Sequence, residues 1–365
     1  MPKFWNRGPY RGRTLPFPKG PYRQLRGGVP PVFALDWTNG TTARDGTTPT
    51  TATRASGAYR TDWDGSKHTL TWVGTDVIRV GSFNDGTTTY NNVEIEGSAT
   101  NLLEYSEDFS NAAWSKAVTV NQTATDAAPD PSKLMWNFIP GSGAASAWRI
   151  FQSVSVSANT QYAFSVYAKE GAASHIRLRV SDGTQTGQGY ANLTTATGGS
   201  TGLALADAIY AEDVGDGIVR VIFVFTTGAS ASSADIDIRP AVADGTEPYT
   251  GDGSPVAMQI WGAQLETGPY ATSYIPTTSA SATRAADSLV YDGAISVEAP
   301  VTVVSQTAYQ HGATAFPLMW SITDGGGITN RIRAYTNSGT RLVSVDTGGS
   351  GFSALNGGTP ARQTW

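Results

Sequence analysis

The sequence predicts an all-β protein whose main domain is an antiparallel β-sandwich, and three observations support this prediction. The 365 residues include 41 glycines, 15 tyrosines, 12 phenylalanines and 10 tryptophans, a composition rich in turn formers and in aromatic residues that favour strands. Charged residues make up only 15% of the chain, against about 25% in an average globular domain. Apolar and polar residues alternate with a period of two between residues 150 and 265, as in strands with one buried face.

The clearest alternation lies in residues 161–169. Tyr162, Phe164 and Val166 fall on one face of the predicted strand, whereas Ser165 falls on the other. The same pattern recurs in three further segments, 175–180, 219–225 and 235–239. Turns rich in glycine, aspartate and asparagine separate these segments, which indicates an antiparallel sandwich with one face packed and one face in water.

The chain divides into four predicted regions. Residues 1–28 form an extended basic and aromatic peptide, 29–99 a small irregular β region, 100–286 the β-sandwich, and 287–365 the start of a second β domain. The last region has the pattern of successive hairpins, which end at Trp365 before a sandwich is able to close. We therefore expect this sequence to be the N-terminal part of a longer polypeptide.

Residues 1–28 contain five prolines, which exclude a continuous helix or a central strand. Seven basic residues precede the first acid, Asp36, and the remainder of the chain carries 18 basic against 30 acidic residues. We interpret this segment as a peptide that becomes ordered on another protein, with a flexible basic tail or a nucleic-acid arm as the alternatives. The predicted anchor residues are Phe4, Trp5, Arg7, Tyr10, Arg11, Arg13, Phe17, Tyr22 and Arg23.

Several kinds of chemistry find no support in the sequence. The absence of cysteine excludes disulfides and cysteine-ligated zinc, and suits folding in a reducing cytoplasm. His68, His175 and His311 lie far apart, which argues against a histidine metal site or a Ser-His-Asp triad. The longest apolar run, residues 218–225, contains Arg220 and is too short to span a bilayer. The basic N-terminus lacks the apolar stretch of a signal peptide.

Acidic residues in turn-like contexts leave two alternatives open. A glycosidase needs a pair of acids, and the candidates include Glu104, Glu107, Asp108, Glu212, Asp213 and Asp216. Carboxylates in such turns usually cap backbone amides or stay hydrated, so we expect no enzyme. Similar groups hold Ca²⁺, which takes roughly six to eight oxygen ligands. We expect no other cofactor. The calcium candidates are Glu107, Asp108 and Glu266.

Nine ordered segments within roughly residues 30–290 form a recognisable series: 33–40 (FALDWTNG), 53–56 (TRAS), 101–116 (NLLEYSEDFSNAAWSK), 165–169 (SVYAK), 212–221 (EDVGDGIVRV), 249–253 (YTGDG), 260–266 (IWGAQLE), 270–276 (YATSYIP) and 283–287 (TRAAD). Together they resemble a module that recurs in bacteriophage tail fibres and other phage structural proteins. This resemblance implies a jelly-roll sandwich similar to carbohydrate-binding modules, carried in a virion appendage that contacts the host surface. The hairpins after Asp287 resemble the opening of a concanavalin-like or laminin-G-like domain, and the leader resembles short N-terminal anchors that attach fibres to a virion.

Such a module implies a sugar-binding face. Aromatic rings would pack against pyranose C–H groups, and amides, acids and arginines would bind the hydroxyls. The candidates are Trp114, Trp148, Tyr167, Arg177, Arg179, Asp235 and Asp237. Two alternatives stay open, because a tryptophan in a sandwich usually belongs to the core, and a polar strand face is often solvated or makes ionic contacts between subunits.

The expected function is that of a non-enzymatic structural adhesion protein of a bacteriophage virion, a tail fibre that is assembled in the cytoplasm of the host bacterium. The expected partners are other virion proteins in the tail adaptor, tail or portal region, further copies of the chain in a homotrimer, and host cell-surface polysaccharide. Nucleic-acid binding and membrane insertion are not expected. The alternatives are a capsid-attached head fibre or decoration protein, and a glycan depolymerase or its binding module.

Overall fold

A computed structural model describes residues 51–84, 89–123, 125–145, 148–246, 249–253 and 255–290, together with four strands between residues 318 and 355. Every regular element in these ranges is a β-strand, and none of them contains a helix. The all-β prediction is therefore confirmed. None of the described residues belongs to a helix that is long and apolar enough to cross a membrane.

The first 22 strands follow one another closely along the chain. They are β1 (Thr51–Thr53), β2 (Ala58–Trp63), β3 (His68–Val73), β4 (Arg79–Asn84), β5 (Thr89–Glu94), β6 (Ala99–Asn101), β7 (Ser115–Lys116), β8 (Thr119–Asn121), β9 (Trp136–Ile139), β10 (Ser142–Ala145), β11 (Ile150–Ser155), β12 (Gln161–Glu170), β13 (His175–Ser181), β14 (Thr186–Asn192), β15 (Thr197–Gly202), β16 (Ala206–Gly215), β17 (Ile218–Thr226), β18 (Ser233–Ala241), β19 (Tyr249–Asp252), β20 (Met258–Thr267), β21 (Ala282–Arg284) and β22 (Ser288–Val290).

Two six-stranded antiparallel sheets dominate the fold. The front sheet has the order β15-β14-β13-β18-β11-β7, and the back sheet has the order β16-β17-β12-β20-β9-β8. Strands that are distant in sequence pair in both, for example β11 with β18 and β12 with β20. This arrangement is consistent with the predicted β-sandwich, while the finer assignment to a jelly roll stays a prediction.

The main core contains the alternating apolar residues that the sequence places on one face of each strand. Ile176 and Leu178 of the front sheet and Phe164, Val166 and Phe223 of the back sheet are fully buried in one cluster. Each such side chain stabilises the fold by about 1.5–3 kcal/mol relative to an exposed position. The alternation with a period of two therefore identified the core-facing side of these strands correctly.

The other face of the back sheet is also covered, so the prediction of one face in water is wrong for this sheet. Residues 162–168 of β12 and 218–225 of β17 are buried without interruption. The hairpin of β2 and β3 contributes Tyr59 and Leu70 to a second cluster around Trp261. The upstream hairpin covers one part of this face, and Ala271 packs over another part, against Ala163, Ile222 and Val224.

Short strand pairs join the segment that precedes the sandwich in the chain to the segment that follows it. In the β1–β22 pair Thr51 lies opposite Val290, and in the β6–β21 pair Ala99 lies opposite Arg284. The described residues up to 267 and from 271 to 290 belong to one compact unit. The chain therefore enters and leaves the sandwich unit at neighbouring positions.

A second unit contains the four strands β23 (Leu318–Thr323), β24 (Arg331–Asn337), β25 (Thr340–Thr347) and β26 (Ser350–Leu355). They pair in chain order as an antiparallel meander, in line with the hairpins predicted there. The likeness to a concanavalin-like domain and the domain boundaries at residues 28, 99 and 286 stay predictions.

A buried group of ionic side chains, here called the clasp, links the same two segments. Its members are Arg54, Arg79, Glu94, Glu96, Arg284 and Asp287. Arg79 bonds to Asp287, contacts Glu96 at 2.9 Å and contacts Glu94 at 3.0 Å. Oδ1 of Asp287 also accepts from Arg54 Nη1 at 2.9 Å. One carboxylate from the segment after the sandwich therefore bonds to two arginines from the segment before it.

Arg54 is bonded to five acceptors. Its Nε donates to the Ser56 carbonyl, Nη1 donates to Asp287 and to the Val77 carbonyl, and Nη2 donates to the carbonyls of Val73 and Gly74. A guanidinium has five N–H donors, so this side chain is saturated within the protein. Its side chain is only 1% exposed. The clasp therefore has a structural role.

Burial and charge act in opposite directions on the acids of the clasp. Burial raises the pKa of Glu94 to about 7, although Thr61 and Arg79 act to lower it. Burial also acts to raise the pKa of Glu96, but Arg284 and Arg79 outweigh this effect and hold it below its ordinary value. Glu96 is therefore a charged partner for the arginines, whereas Glu94 titrates near neutral pH.

Candidate functional site

The outer face of the front sheet carries a group of charged side chains on β13, on β18 and immediately before β11. Ile176 and Ile238 point into the core, so the residues that alternate with them point outward. Arg179 lies opposite Asp237 in the β13–β18 register, and Arg177 lies opposite Arg239. This group, here called the arginine face, comprises Arg149, Phe151, Arg177, Arg179, Asp235, Asp237 and Arg239.

Asp237 is the centre of the arginine face, and its carboxylate is fully buried. Its Oδ2 accepts from Arg239 Nη2 at 2.8 Å and from Arg179 Nη1 at 3.1 Å. Its Oδ1 accepts from Arg149 Nη1 at 3.4 Å. One carboxylate therefore orients three guanidiniums, of which Arg149 and Arg179 are the more exposed, at 31% and 20% of their side chains.

Phe151 positions Arg149 on this surface. The guanidinium carbon of Arg149 lies 4.1 Å from the centre of the Phe151 ring, within the range of a cation–π contact. Phe151 in turn lies opposite Asp237 in the β11–β18 register. The aromatic ring and the carboxylate thus hold Arg149 from two directions.

The electrostatics of the face reflect its concentration of positive charge. Burial lowers the pKa of Arg239, and the neighbouring guanidiniums of Arg177 and Arg179 lower it further, while Asp237 acts to raise it. Arg177 and Arg239 are also held by further contacts. Asp235 accepts a short hydrogen bond from Ser153 on β11.

The structure brings together only the polar members of the predicted sugar-binding set. Arg177, Arg179, Asp235 and Asp237 share the arginine face. The aromatic candidates lie elsewhere: Trp114 is 1% exposed in the main core, and Tyr167 is 4% exposed in the cluster under the β2–β3 hairpin. Trp148 is half-buried, and its Nε1 donates to the Gly143 carbonyl.

Two of the predicted calcium ligands have protein partners of their own. Glu107 Oε2 lies 3.2 Å from Lys133 Nζ, and burial raises the pKa of this carboxyl. Asp108 Oδ1 caps a turn by accepting from the Ser110 amide at 3.0 Å and from its hydroxyl. Within the part of the chain that the structure describes, no three His, Asp or Glu side chains are grouped so as to hold a metal ion.

Glu266, the third calcium candidate, is buried on β20. Its Oε2 accepts from Gln264 Nε2 at 2.6 Å and from the Thr272 amide at 2.8 Å, and its Oε1 accepts from the Thr272 hydroxyl at 2.6 Å. Burial raises the pKa of Glu266 despite these bonds. The carboxyl therefore fixes the segment around Thr272 to β20, an interior strand of the back sheet.

Sequence reasoning missed two parts of this arrangement. Phe151 lies on β11 and Arg149 lies immediately before it. They join the face only because β11 pairs with β18, which brings Arg149 to Asp237, 88 residues further along the chain. The clasp was also missed, although Arg54 and Arg284 lie in the TRAS and TRAAD segments. The repeated Thr-Arg-Ala triplet, with an acid two residues beyond the second copy, was the available signal for it.

The predicted anchor residues in 1–28 lie outside the described residues. Comparison with protein-family profiles finds no match for this sequence. Comparison with curated proteins finds none either.

Proposed function

We propose that this chain is a non-enzymatic structural adhesion protein of a bacteriophage virion, a tail fibre whose sandwich unit faces the glycans of the host surface. The observation that carries the proposal is the arginine face. It places partly exposed guanidinium donors at fixed positions on the outer surface of a sheet. Guanidiniums donate to the hydroxyl and carboxylate oxygens that polysaccharides present along their length.

The closure of the sandwich unit supports a display function. Because Thr51 pairs opposite Val290, the segments before and after the unit begin at neighbouring points. A unit whose two ends meet in this way suits display as a single module of a fibre.

Repetition of the unit in an oligomer would strengthen weak sugar contacts. The linkage of several copies raises the effective concentration of each site without new contacts, and avidity then exceeds single-site affinity by roughly 10²–10⁴-fold. A homotrimer attached to a virion through residues 1–28 provides such repetition.

Immobilised bacterial surface polysaccharides test the proposal. The full chain should bind at least one of them in a biosensor assay, and prolonged incubation should release no new reducing ends. Absence of binding across a broad panel would contradict the adhesion function. Release of reducing ends would instead identify a depolymerase.

Particle assembly tests the anchoring part separately. A variant without residues 1–28 should remain folded and soluble but should no longer join phage particles. Normal incorporation of this variant would show that attachment depends on another region.

A further inference from the structure

Arg149 and Arg179 present hydrogen-bond donors that their described protein contacts do not use. Each guanidinium carries five N–H groups, yet the hydrogen bonds given above for these two arginines engage only Nη1 of each. The side chains are 31% and 20% exposed. A ligand on the outer face of the front sheet can therefore reach Nε and Nη2 of both residues.

The two guanidiniums are held in a fixed relation to each other. Arg149 bonds to Oδ1 of Asp237 and Arg179 bonds to Oδ2 of the same carboxylate, which is fully buried. The Phe151 ring also holds Arg149 through the cation–π contact. Because their positions are set before any ligand arrives, little side-chain entropy is lost on binding.

The chemistry of this pair favours an anion over a neutral hydroxyl. Asp237 is shared by three guanidiniums, those of Arg149, Arg179 and Arg239. Asp235, the other carboxylate of the face, accepts from Ser153. The carboxylate of a ligand would relieve the repulsion between these cations, and guanidiniums bind carboxylates through two parallel, charge-assisted hydrogen bonds.

We propose that Arg149 and Arg179 together bind the carboxylate of a uronic acid within an acidic polysaccharide. This proposal rests on the proposed glycan adhesion and names the class of glycan. Arg149 and Arg179 contact the ligand, whereas Asp237 and Phe151 act only by positioning them. Neutral sugars would bind the same surface more weakly, because a hydroxyl accepts a hydrogen bond but carries no negative charge to balance the guanidiniums.

Matched polymers test the proposal directly. The full chain is titrated with hyaluronan and with polygalacturonate, and then with the carboxyl-reduced form of each, which keeps the backbone and lacks the charge. The expected result is affinity at least about tenfold lower for the reduced polymers, since they lose the charged acceptor but keep the same backbone. Affinity for the intact polymers should also fall with added salt.

Variants at the face complete the test. Arg149→Gln and Arg179→Gln should each weaken binding of the intact polyuronate about tenfold, and Arg179→Lys should be intermediate because lysine lacks the planar fork. Arg60→Gln is the matched control, because Arg60 pairs with Asp62 on the β2 strand and its side chain is 33% exposed. This control should bind as the unchanged protein does. Urea unfolding of each variant confirms that it is folded.

Four outcomes would overturn the proposal. Equal binding of intact and reduced polymers would be compatible with glycan adhesion but would exclude the carboxylate as the group that the arginines recognise. Binding of dextran sulfate as tight as that of the polyuronates would show attraction to charge alone. Self-association that is lost in Arg149→Gln and Arg179→Gln, with no polyuronate binding, would assign the face to a second copy of the chain. Failure to bind any polysaccharide, charged or neutral, would overturn the proposed adhesion function as well.

Discussion

The clasp and the arginine face are two arginine clusters in one unit, and they use their guanidiniums differently. In the clasp, Arg54 donates to five acceptors and is 1% exposed. In the arginine face, Arg179 donates through Nη1 to Asp237 and is 20% exposed. A buried arginine whose N–H groups are all bonded within the protein has no donor left for a ligand. The contrast separates an arginine that holds the fold from one that is available for binding.

The largest expected effect comes from the removal of Asp287, the carboxylate that joins two arginines of the clasp. Asp287→Ala leaves Arg54 and Arg79 buried without this partner. The loss of one member of a buried ion pair costs about 3–5 kcal/mol, so urea unfolding should show a decrease of that order. Asp62→Ala, which breaks the partly exposed pair with Arg60, should cost less than about 1 kcal/mol. Equal effects of the two variants would contradict a structural clasp.

A smaller loss is expected at the centre of the arginine face. Asp237→Asn removes the buried charge that orients three guanidiniums, and hydrogen bonds to charged groups contribute about 1.5–3 kcal/mol each. The free energy of unfolding should fall by about 2–3 kcal/mol. Asp235→Asn, on the same strand and face, is the matched control and should have little effect. A larger loss in the control would show that Asp235, and not Asp237, organises the face.

The pH dependence of stability distinguishes the acids of the clasp. Burial raises the pKa of Glu94 to about 7 from an ordinary 4.5, so the folded protein holds a proton there that the unfolded chain has released. Glu94 therefore makes stability fall as pH rises from about 4.5 to 7.

Glu94→Gln removes this contribution. The unfolding free energies of the variant and of the unchanged protein are measured at about pH 5 and pH 8. From the lower to the higher pH, the difference between them should shift in favour of the variant by on the order of 1–3 kcal/mol. A difference that is the same at both pH values would show that Glu94 has no raised pKa.

The smallest effect is expected for an arginine of the face. Arg179→Gln removes one partly exposed bond to Asp237, which Arg239 and Arg149 still contact. The unfolding free energy should change by about 1 kcal/mol or less. The same substitution at Arg54 should cost several times more, because five acceptors lose their donor. If Arg179→Gln proves as costly as Arg54→Gln, the face is part of the framework and not a binding surface.

The local pattern of the sequence was sufficient to predict the strands and the side of each strand that faces the main core. The alternation at Tyr162, Phe164 and Val166 identified the buried side of β12, because side chains of a strand alternate between its faces whatever its neighbours are. The same rule placed Arg179 and Asp237 on outward faces. It did not show that these two residues lie opposite each other.

The sequence by itself therefore determined the strand content and the polarity of each strand face, since both depend on neighbouring residues. Only the tertiary structure decided which faces are covered and which charged groups meet. Tyr167 is on an outward position of β12 and is nevertheless buried, because the distant β2–β3 hairpin packs over it. Arg149 and Asp237 contact each other only because β11 pairs with β18. Strand pairing between distant segments is set by the energy of the whole fold, which no short window of sequence contains.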